Sequence, residues 1–145
     1  MIVFDANVLL YAYHTGSESH LVCRRFLEKT LSGTDSVGFC WQSIVAFLRI
    51  GTNPRVFSHP FSPKGASAIV SVWLSHPSVA LIEPGERFWE ILSNLIETAQ
   101  VTGPLMTDAS LAAHALENGA TICTTDRDFK KFPALKIIDP TSDPN

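Results

Sequence analysis

Residues 107–129 read TDASLAAHALENGATICTTDRDF and carry a helix signal followed at once by a strand signal. Apolar side chains recur at the spacing of one helical face, at Leu111, Ala112, Ala115 and Leu116. Thr107 or Asp108 is a favoured N-cap, and Gly119 is a residue type that often follows the last turn. We therefore predict a helix over residues 108–118 and a short strand over residues 121–124.

The rest of the chain repeats this alternation of helix and strand. Further apolar runs predict strands at residues 2–4, 37–39, 79–82 and 137–138. Helical patterns separate them, at residues 7–13, 19–31, 42–51, 63–75 and 86–100. Alternating strands and helices favour a mainly parallel sheet of about five strands covered by helices, so the predicted fold class is α/β.

Length and composition favour one compact domain. The 145 residues are 46% hydrophobic and 17% charged, which is enough apolar surface for a core of this size. We expect the domain to span residues 1–140 and residues 141–145 to form a frayed tail. The net charge of −3 gives no overall attraction to nucleic acid, so contact with RNA would need local basic groups or bound cations.

The cysteines and the hydropathy pattern bear on the compartment. Cys23, Cys40 and Cys123 are odd in number, widely spaced and set among apolar residues, which predicts buried free thiols. No segment approaches the roughly 20 apolar residues that span a bilayer. We therefore expect a cytoplasmic protein with no membrane partner.

Three aspartates are predicted to meet at one edge of the sheet. Asp5 follows the first strand and Asp126 follows the strand at residues 121–124, so parallel strands place both at the carboxyl edge. The helix that begins near Asp108 runs antiparallel to the strands, so its N-terminus lies at the same edge. Asp128 lies two residues beyond Asp126 and adds a fourth carboxylate nearby.

Carboxylates gathered in this way predict a metal site. They repel one another and raise one another's pKa values unless a cation compensates them, and such hard oxygen ligands favour Mg²⁺ or Mn²⁺. Asn7 offers a further oxygen donor. Each aspartate is also a good helix-capping or turn residue, which is the alternative explanation. Independent caps need not converge on one edge, so we predict a metal site at Asp5, Asp108 and Asp126.

Four motifs extend across nearly the whole chain: DANVLLYA at 5–12, FLRIGTNPRVF at 47–57, TDASLAA at 107–113 and TTDRDF at 124–129. In order and spacing they resemble the PIN-domain ribonucleases of the VapC toxin type. The resemblance implies a PIN-like three-layer sandwich with Mg²⁺-dependent endoribonuclease activity. It also implies a homodimer that cuts a structured RNA such as transfer RNA and is held inactive by a cognate antitoxin.

The resemblance also implies roles for individual residues. The family's acidic ligands fall on Asp5, Asp108 and Asp126, with Asp128 as a further catalytic acid, and metal ions held there would activate a water and offset charge on the scissile phosphate. From the residues themselves, Asn7, Thr107 and Thr125 are predicted to support the site, and Arg49 and Arg127 are predicted to contact RNA. Arg127 stands between two of the site acids.

One position departs from the family pattern. VapC proteins usually carry a glutamate just before the Phe-Leu-Arg stretch, and here that position is Ala46. We therefore expect impaired cleavage, whether Ala46 is natural or an introduced substitution. Two other functions stay open: a catalytically inactive protein that binds antitoxin or RNA, and a haloacid-dehalogenase-type phosphatase with Asp5 as nucleophile. The phosphatase usually needs a second aspartate where this chain has Asn7.

Overall fold

A computed structural model describes residues 1–142 and contains a five-stranded sheet. The strands are β1 Ile2–Phe4, β2 Val37–Cys40, β3 Val79–Ile82, β4 Thr121–Cys123 and β5 Lys136–Ile138. Their order across the sheet is β3-β2-β1-β4-β5, and each neighbouring pair is parallel. The predicted α/β class is confirmed, and the sheet is parallel throughout rather than only mainly so.

Within residues 1–142, six α-helices cover the sheet. They are α1 Ala6–Tyr13, α2 His20–Ser32, α3 Trp41–Gly51, α4 Pro63–Ser75, α5 Phe88–Thr98 and α6 Leu105–Glu117. Each predicted helix is present, with small differences at the ends. The segment Arg127–Lys131 forms a short 3₁₀ helix after β4.

The core lies on both faces of the sheet, which gives three layers. On one face, sheet residues such as Val3 and Ile122 pack with apolar residues of α5 and α6. On the other face, Phe39 packs with residues of α1 to α4. Trp73 of α4 is fully buried there, with its ring stacked on Phe39 at a centroid distance of 5.1 Å. The three-layer arrangement matches the predicted sandwich.

The start of α6 differs from the prediction that Thr107 or Asp108 is its N-cap. The helix begins at Leu105 and Pro104 is at the N-cap position, with no side-chain capping bond. Gly103 has a φ of 57°, which turns the chain, and Pro104 follows with a φ of −58° that already suits a helix. Asp108 therefore lies within the first turn, and its carboxylate is not used to cap the helix.

The three cysteines are buried and free, as predicted. Burial raises the pKa of Cys23 to about 11 and that of Cys40 to about 12, and it also raises the pKa of Cys123. Buried thiols with raised pKa values are poor nucleophiles and poor metal ligands. The cysteines therefore contribute to packing.

Part of the predicted C-terminal tail lies within the described residues. Of the tail predicted to be frayed, residues 143–145 lie outside the described residues, while Thr141 donates from its backbone N–H to the Asp139 side chain at 2.8 Å. Within residues 1–142, none of the helices has the length and apolar character needed to cross a membrane.

Candidate metal centre

Thr124 joins the carboxyl ends of β1 and β4. Its hydroxyl donates to Asp5 Oδ2 at 2.8 Å and accepts from the Asp126 backbone N–H at 3.0 Å. The other oxygen of Asp5 accepts from the Ala6 backbone N–H at 2.7 Å, which caps α1. Thr124 is only 1% exposed, so this link is shielded from solvent. It was not among the predicted site residues, although its place at the end of a strand was a usable signal.

Three carboxylates converge beside this link. Asp108, Asp126 and Asp128 each offer one oxygen, and these oxygens all lie within 4.8 Å of one another. Asp126 begins the 3₁₀ helix and accepts from the Asp128 backbone N–H at 2.9 Å. Ligand oxygens on opposite sides of one Mg²⁺ are about 4.2 Å apart, so this spacing is close to that of a shared cation.

The acids affect one another's ionisation. Burial, together with the charges of Asp126, Asp5 and Asp128, raises the pKa of Asp108 to about 6, while Lys131 opposes the increase. Burial also raises the pKa of Asp5, against the hydrogen bonds from Thr124 and Ala6, and the charge of Asp126 adds to the increase. Of the neighbouring charges, that of Asp126 thus has the largest effect on the pKa values of both Asp5 and Asp108. Half-buried, mutually repelling carboxylates fit a hard divalent cation.

The raised pKa of Asp108 predicts a pH dependence of stability in the absence of metal. The folded-state pKa of about 6 exceeds the unfolded value of 3.8, so the folded protein binds more protons between these values. Its stabilising contribution is complete below about pH 3.8 and is lost as pH rises through about 6. In EDTA, the melting temperature of Asp108→Asn relative to the unaltered protein is therefore expected to increase from pH 4 to pH 7.

This comparison cancels the titration of groups outside the cluster, because both proteins share them. The neighbouring acids lose a repelling charge in the variant, which changes the difference in the same direction. Saturating Mg²⁺ is expected to remove or reverse the difference, since the cation stabilises the ionised Asp108. A melting-temperature difference that stays constant across this pH range would contradict the assignment.

The predicted supporting residues occupy different places around the acids. Asn7 donates through Nδ2 to Thr124 Oγ1 at 3.4 Å, and its Oδ1 accepts from the Thr125 backbone N–H at 3.4 Å. These contacts fasten α1 to the end of β4. Thr107 is exposed, and its backbone carbonyl accepts from Gln42 Nε2 at 2.9 Å. Gln42 was not among the predicted site residues.

Ala46 lies on α3, one turn after Gln42, and is half-buried. Ser43 lies three residues before it and is 2% exposed, and its hydroxyl has no hydrogen-bond partner within residues 1–142. A buried hydroxyl without a partner is costly and uncommon. The side of α3 near Ala46 thus contains a buried donor with no acceptor among residues 1–142.

The structure separates the two arginines predicted to contact RNA. Arg127 is exposed in the 3₁₀ helix, directly after Asp126, and with Lys130 it lines a cavity of about 140 Å³ beside the end of β4. Arg49 is exposed on α3, about 10 Å along the helix axis from Gln42, toward the opposite edge of the sheet. Of these two arginines, Arg127 adjoins the acids and Arg49 does not.

Comparisons with known proteins agree with this architecture. The PIN domain family matches residues 2–135, so the chain is a PIN-domain protein. Ribonuclease VapC37 of Mycobacterium tuberculosis is 39% identical over 140 residues, covering 97% of each chain, and Ribonuclease VapC33 of the same species is 37% identical with similar coverage. The chain therefore belongs to the VapC ribonucleases of the PIN-domain family, as its motifs indicated.

A solved structure supports the fold independently of close sequence similarity. A chain of a toxin–antitoxin complex from Klebsiella pneumoniae superposes with a TM-score of 0.66 at 14% identity. The match covers 97% of this chain and 98% of that one. At this identity the likeness concerns the fold alone.

Proposed function

We propose that this chain is a metal-dependent endoribonuclease and the toxin component of a toxin–antitoxin pair. The observation that carries the proposal is the convergence of Asp108, Asp126 and Asp128 within 4.8 Å at the carboxyl edge of the sheet. Relatives covering nearly the whole chain are named ribonucleases. The activity proposed is hydrolysis of RNA phosphodiester bonds.

The carboxylates of the site would hold the metal ion in this proposal. Asp108, Asp126 and Asp128, with Asp5 beside them, would hold Mg²⁺ or Mn²⁺. When bound, the cation supplies an activated water and offsets negative charge at the scissile phosphate. Asp5 accepts one hydrogen bond on each oxygen, but a carboxylate has about four acceptor positions, so it retains capacity for a ligand role.

Thr124, Asn7 and Thr125 have supporting roles in this proposal. Thr124 holds the Asp5 carboxylate and the Asp126 backbone in one hydrogen-bonded unit. Asn7 connects that unit to α1 through Thr124 and the Thr125 backbone. Such contacts fix the orientation of ligands before the substrate arrives, which is what a metal site needs for affinity and rate.

Local basic groups would supply the contact with RNA that the net charge of −3 does not. Arg127 and Lys130 line the cavity of about 140 Å³ beside Asp126, and neither forms an ion pair within residues 1–142. A pocket for a drug-sized ligand is about 300–1,000 Å³, so this cavity suits one phosphate group rather than a whole nucleotide. Arg49 would contact only RNA that extends along α3.

A protein partner is part of the proposal. The related Klebsiella pneumoniae structure is a toxin–antitoxin complex, which supports a cognate antitoxin for this chain. Large apolar side chains are exposed on three helices, with Trp89 at 68%, Val72 at 64% and Leu21 at 62%. Exposed apolar residues of this size are consistent with contacts to an antitoxin and to a second copy in a homodimer.

A second candidate function follows from Ala46. If α3 must supply a carboxylate for catalysis, this chain would bind antitoxin or RNA without cutting it. The phosphatase alternative is less well supported, because Asn7 occupies the position of its second aspartate and both ends of the Asn7 amide are engaged. Trapping an aspartyl-phosphate on Asp5 would favour that alternative.

Incubation of the purified protein with a mixed transfer RNA pool tests the proposal. We expect slow endonucleolytic cleavage in Mg²⁺ or Mn²⁺ and none in EDTA, because the acids need a cation to act on a phosphodiester. Cleavage that persists in EDTA would exclude the metal-dependent mechanism. No cleavage by this chain or by its Ala46→Glu variant would favour the binding protein.

A further inference from the structure

The side chain of Gln42 connects α3 to the first turns of α6. Its Nε2 donates to the Thr107 carbonyl oxygen at 2.9 Å, and its Oε1 accepts from Ser110 Oγ at 2.8 Å. Residues of α3 and α6 belong to the core clusters on opposite faces of the sheet. The two hydrogen bonds therefore cross the carboxyl edge and join the two helical layers.

The two residues that Gln42 contacts lie on either side of Asp108 in the sequence. Thr107 precedes it and Ser110 follows it by two residues, so the Gln42 amide restrains the helical segment that carries this carboxylate. The N-terminus of α6 has no side-chain capping bond that could hold it instead. Repulsion from Asp126, Asp5 and Asp128 acts to move the Asp108 carboxylate away from the cluster.

We infer that Gln42 is a positioning residue that holds Asp108 in the metal site, an inference that rests on the proposed function. An amide suits this role because it has one donor and one acceptor group, and both are used. It also adds no charge to a site that already contains several carboxylates. The α3 helix thus contributes a neutral bridge from Gln42, one turn before Ala46, where the family resemblance predicts a carboxylate.

Variants of the bridge can be compared by their affinity for Mn²⁺, measured by calorimetry on the intact protein. Gln42→Met keeps the length of the side chain but removes both hydrogen bonds. Partners that orient metal ligands typically contribute a factor of about 10 to 100 in affinity, so we expect a loss on the order of tenfold. Ser110→Ala removes one bond and should cause a smaller loss.

Val45→Ala is the matched control, because Val45 is 55% exposed on the same helix and takes no part in the bridge. It should bind Mn²⁺ as the unaltered protein does. Melting temperatures in EDTA show whether each variant is folded at the temperature of the titration. Cleavage of RNA by Gln42→Met should recover at high Mn²⁺ concentration, which a purely structural defect would not allow.

The outcomes separate this inference from the proposed function. Unchanged Mn²⁺ affinity in folded Gln42→Met and Ser110→Ala, beside normal binding by the unaltered protein, would overturn the role of Gln42 alone. If Gln42→Met does not fold, the affinity of Ser110→Ala decides the question. An unaltered protein that binds no Mn²⁺ would overturn the metal site and this inference together.

Discussion

Asp126→Asn is expected to lower the rate of RNA cleavage in Mg²⁺ by about 100-fold or more. Asp126 belongs to the converging carboxylates, and its charge raises the pKa values of both Asp5 and Asp108. A bound metal contributes several kcal/mol to a reaction of this kind, and about 2.7 kcal/mol corresponds to 100-fold in rate. Cleavage assays with a transfer RNA pool measure the loss of rate. Calorimetry with Mn²⁺ measures the accompanying loss of metal affinity.

This substitution separates catalysis from folding. Asparagine is as good an N-cap as aspartate, so the 3₁₀ helix should keep its first hydrogen bond. Removing one charge from the cluster also relieves repulsion, so the variant should melt at the same or a higher temperature in EDTA. Asp35→Asn, in the exposed loop before β2, is the control and should cleave normally. Retention of activity by Asp126→Asn would contradict the assigned role.

Ala46→Glu is expected to raise the cleavage rate in Mg²⁺ by on the order of 10- to 100-fold. Side chains on a helix tilt toward its N-terminus, and the N-terminus of α3 lies at the carboxyl edge of the sheet. A glutamate at position 46 would therefore extend toward the turn of Gln42 and the acids. The buried Ser43 hydroxyl, which has no partner in the described chain, lies one turn before and can donate to it.

The control for this variant is Val45→Glu, which adds the same charge to an exposed neighbour of Ala46. It should leave the rate unchanged, because its carboxylate faces a different side of α3. In EDTA, Ala46→Glu should melt at a lower temperature than the unaltered protein, since a further carboxylate joins a repelling cluster. Equal rates for Ala46→Glu and the unaltered protein would show that α3 needs no acid at this position.

Much of the fold could be predicted because short apolar strands alternate with amphipathic helices. The strand Val79–Ile82 and the helix Pro63–Ser75 have the predicted ends, the latter because Ser62 and Pro63 are strong helix-start signals. The predicted start of α6 was wrong. Thr107 and Asp108 are good N-cap residue types, but the backbone turn at Gly103 and Pro104 determines where the helix begins. Local propensity alone does not reveal that turn.

The site could be predicted to the level of strand and helix ends. Parallel topology places Asp5, Asp108 and Asp126 at one edge, and that reasoning needs no distances. Which oxygens converge depends on side-chain geometry, and it is Asp128 rather than Asp5 that joins Asp108 and Asp126 within 4.8 Å. Thr124 and Gln42 act through hydrogen bonds to residues distant in the sequence, which no local pattern encodes.

Diffraction from crystals soaked in Mn²⁺, with the anomalous signal of the ion recorded, would show directly whether the converging carboxylates bind a divalent cation. We expect an anomalous peak at coordination distance from the carboxylates of Asp108, Asp126 and Asp128, on the side of the cluster that adjoins Asp5. A peak bound by other residues, or no peak at a Mn²⁺ concentration that saturates binding in solution, would contradict this expectation.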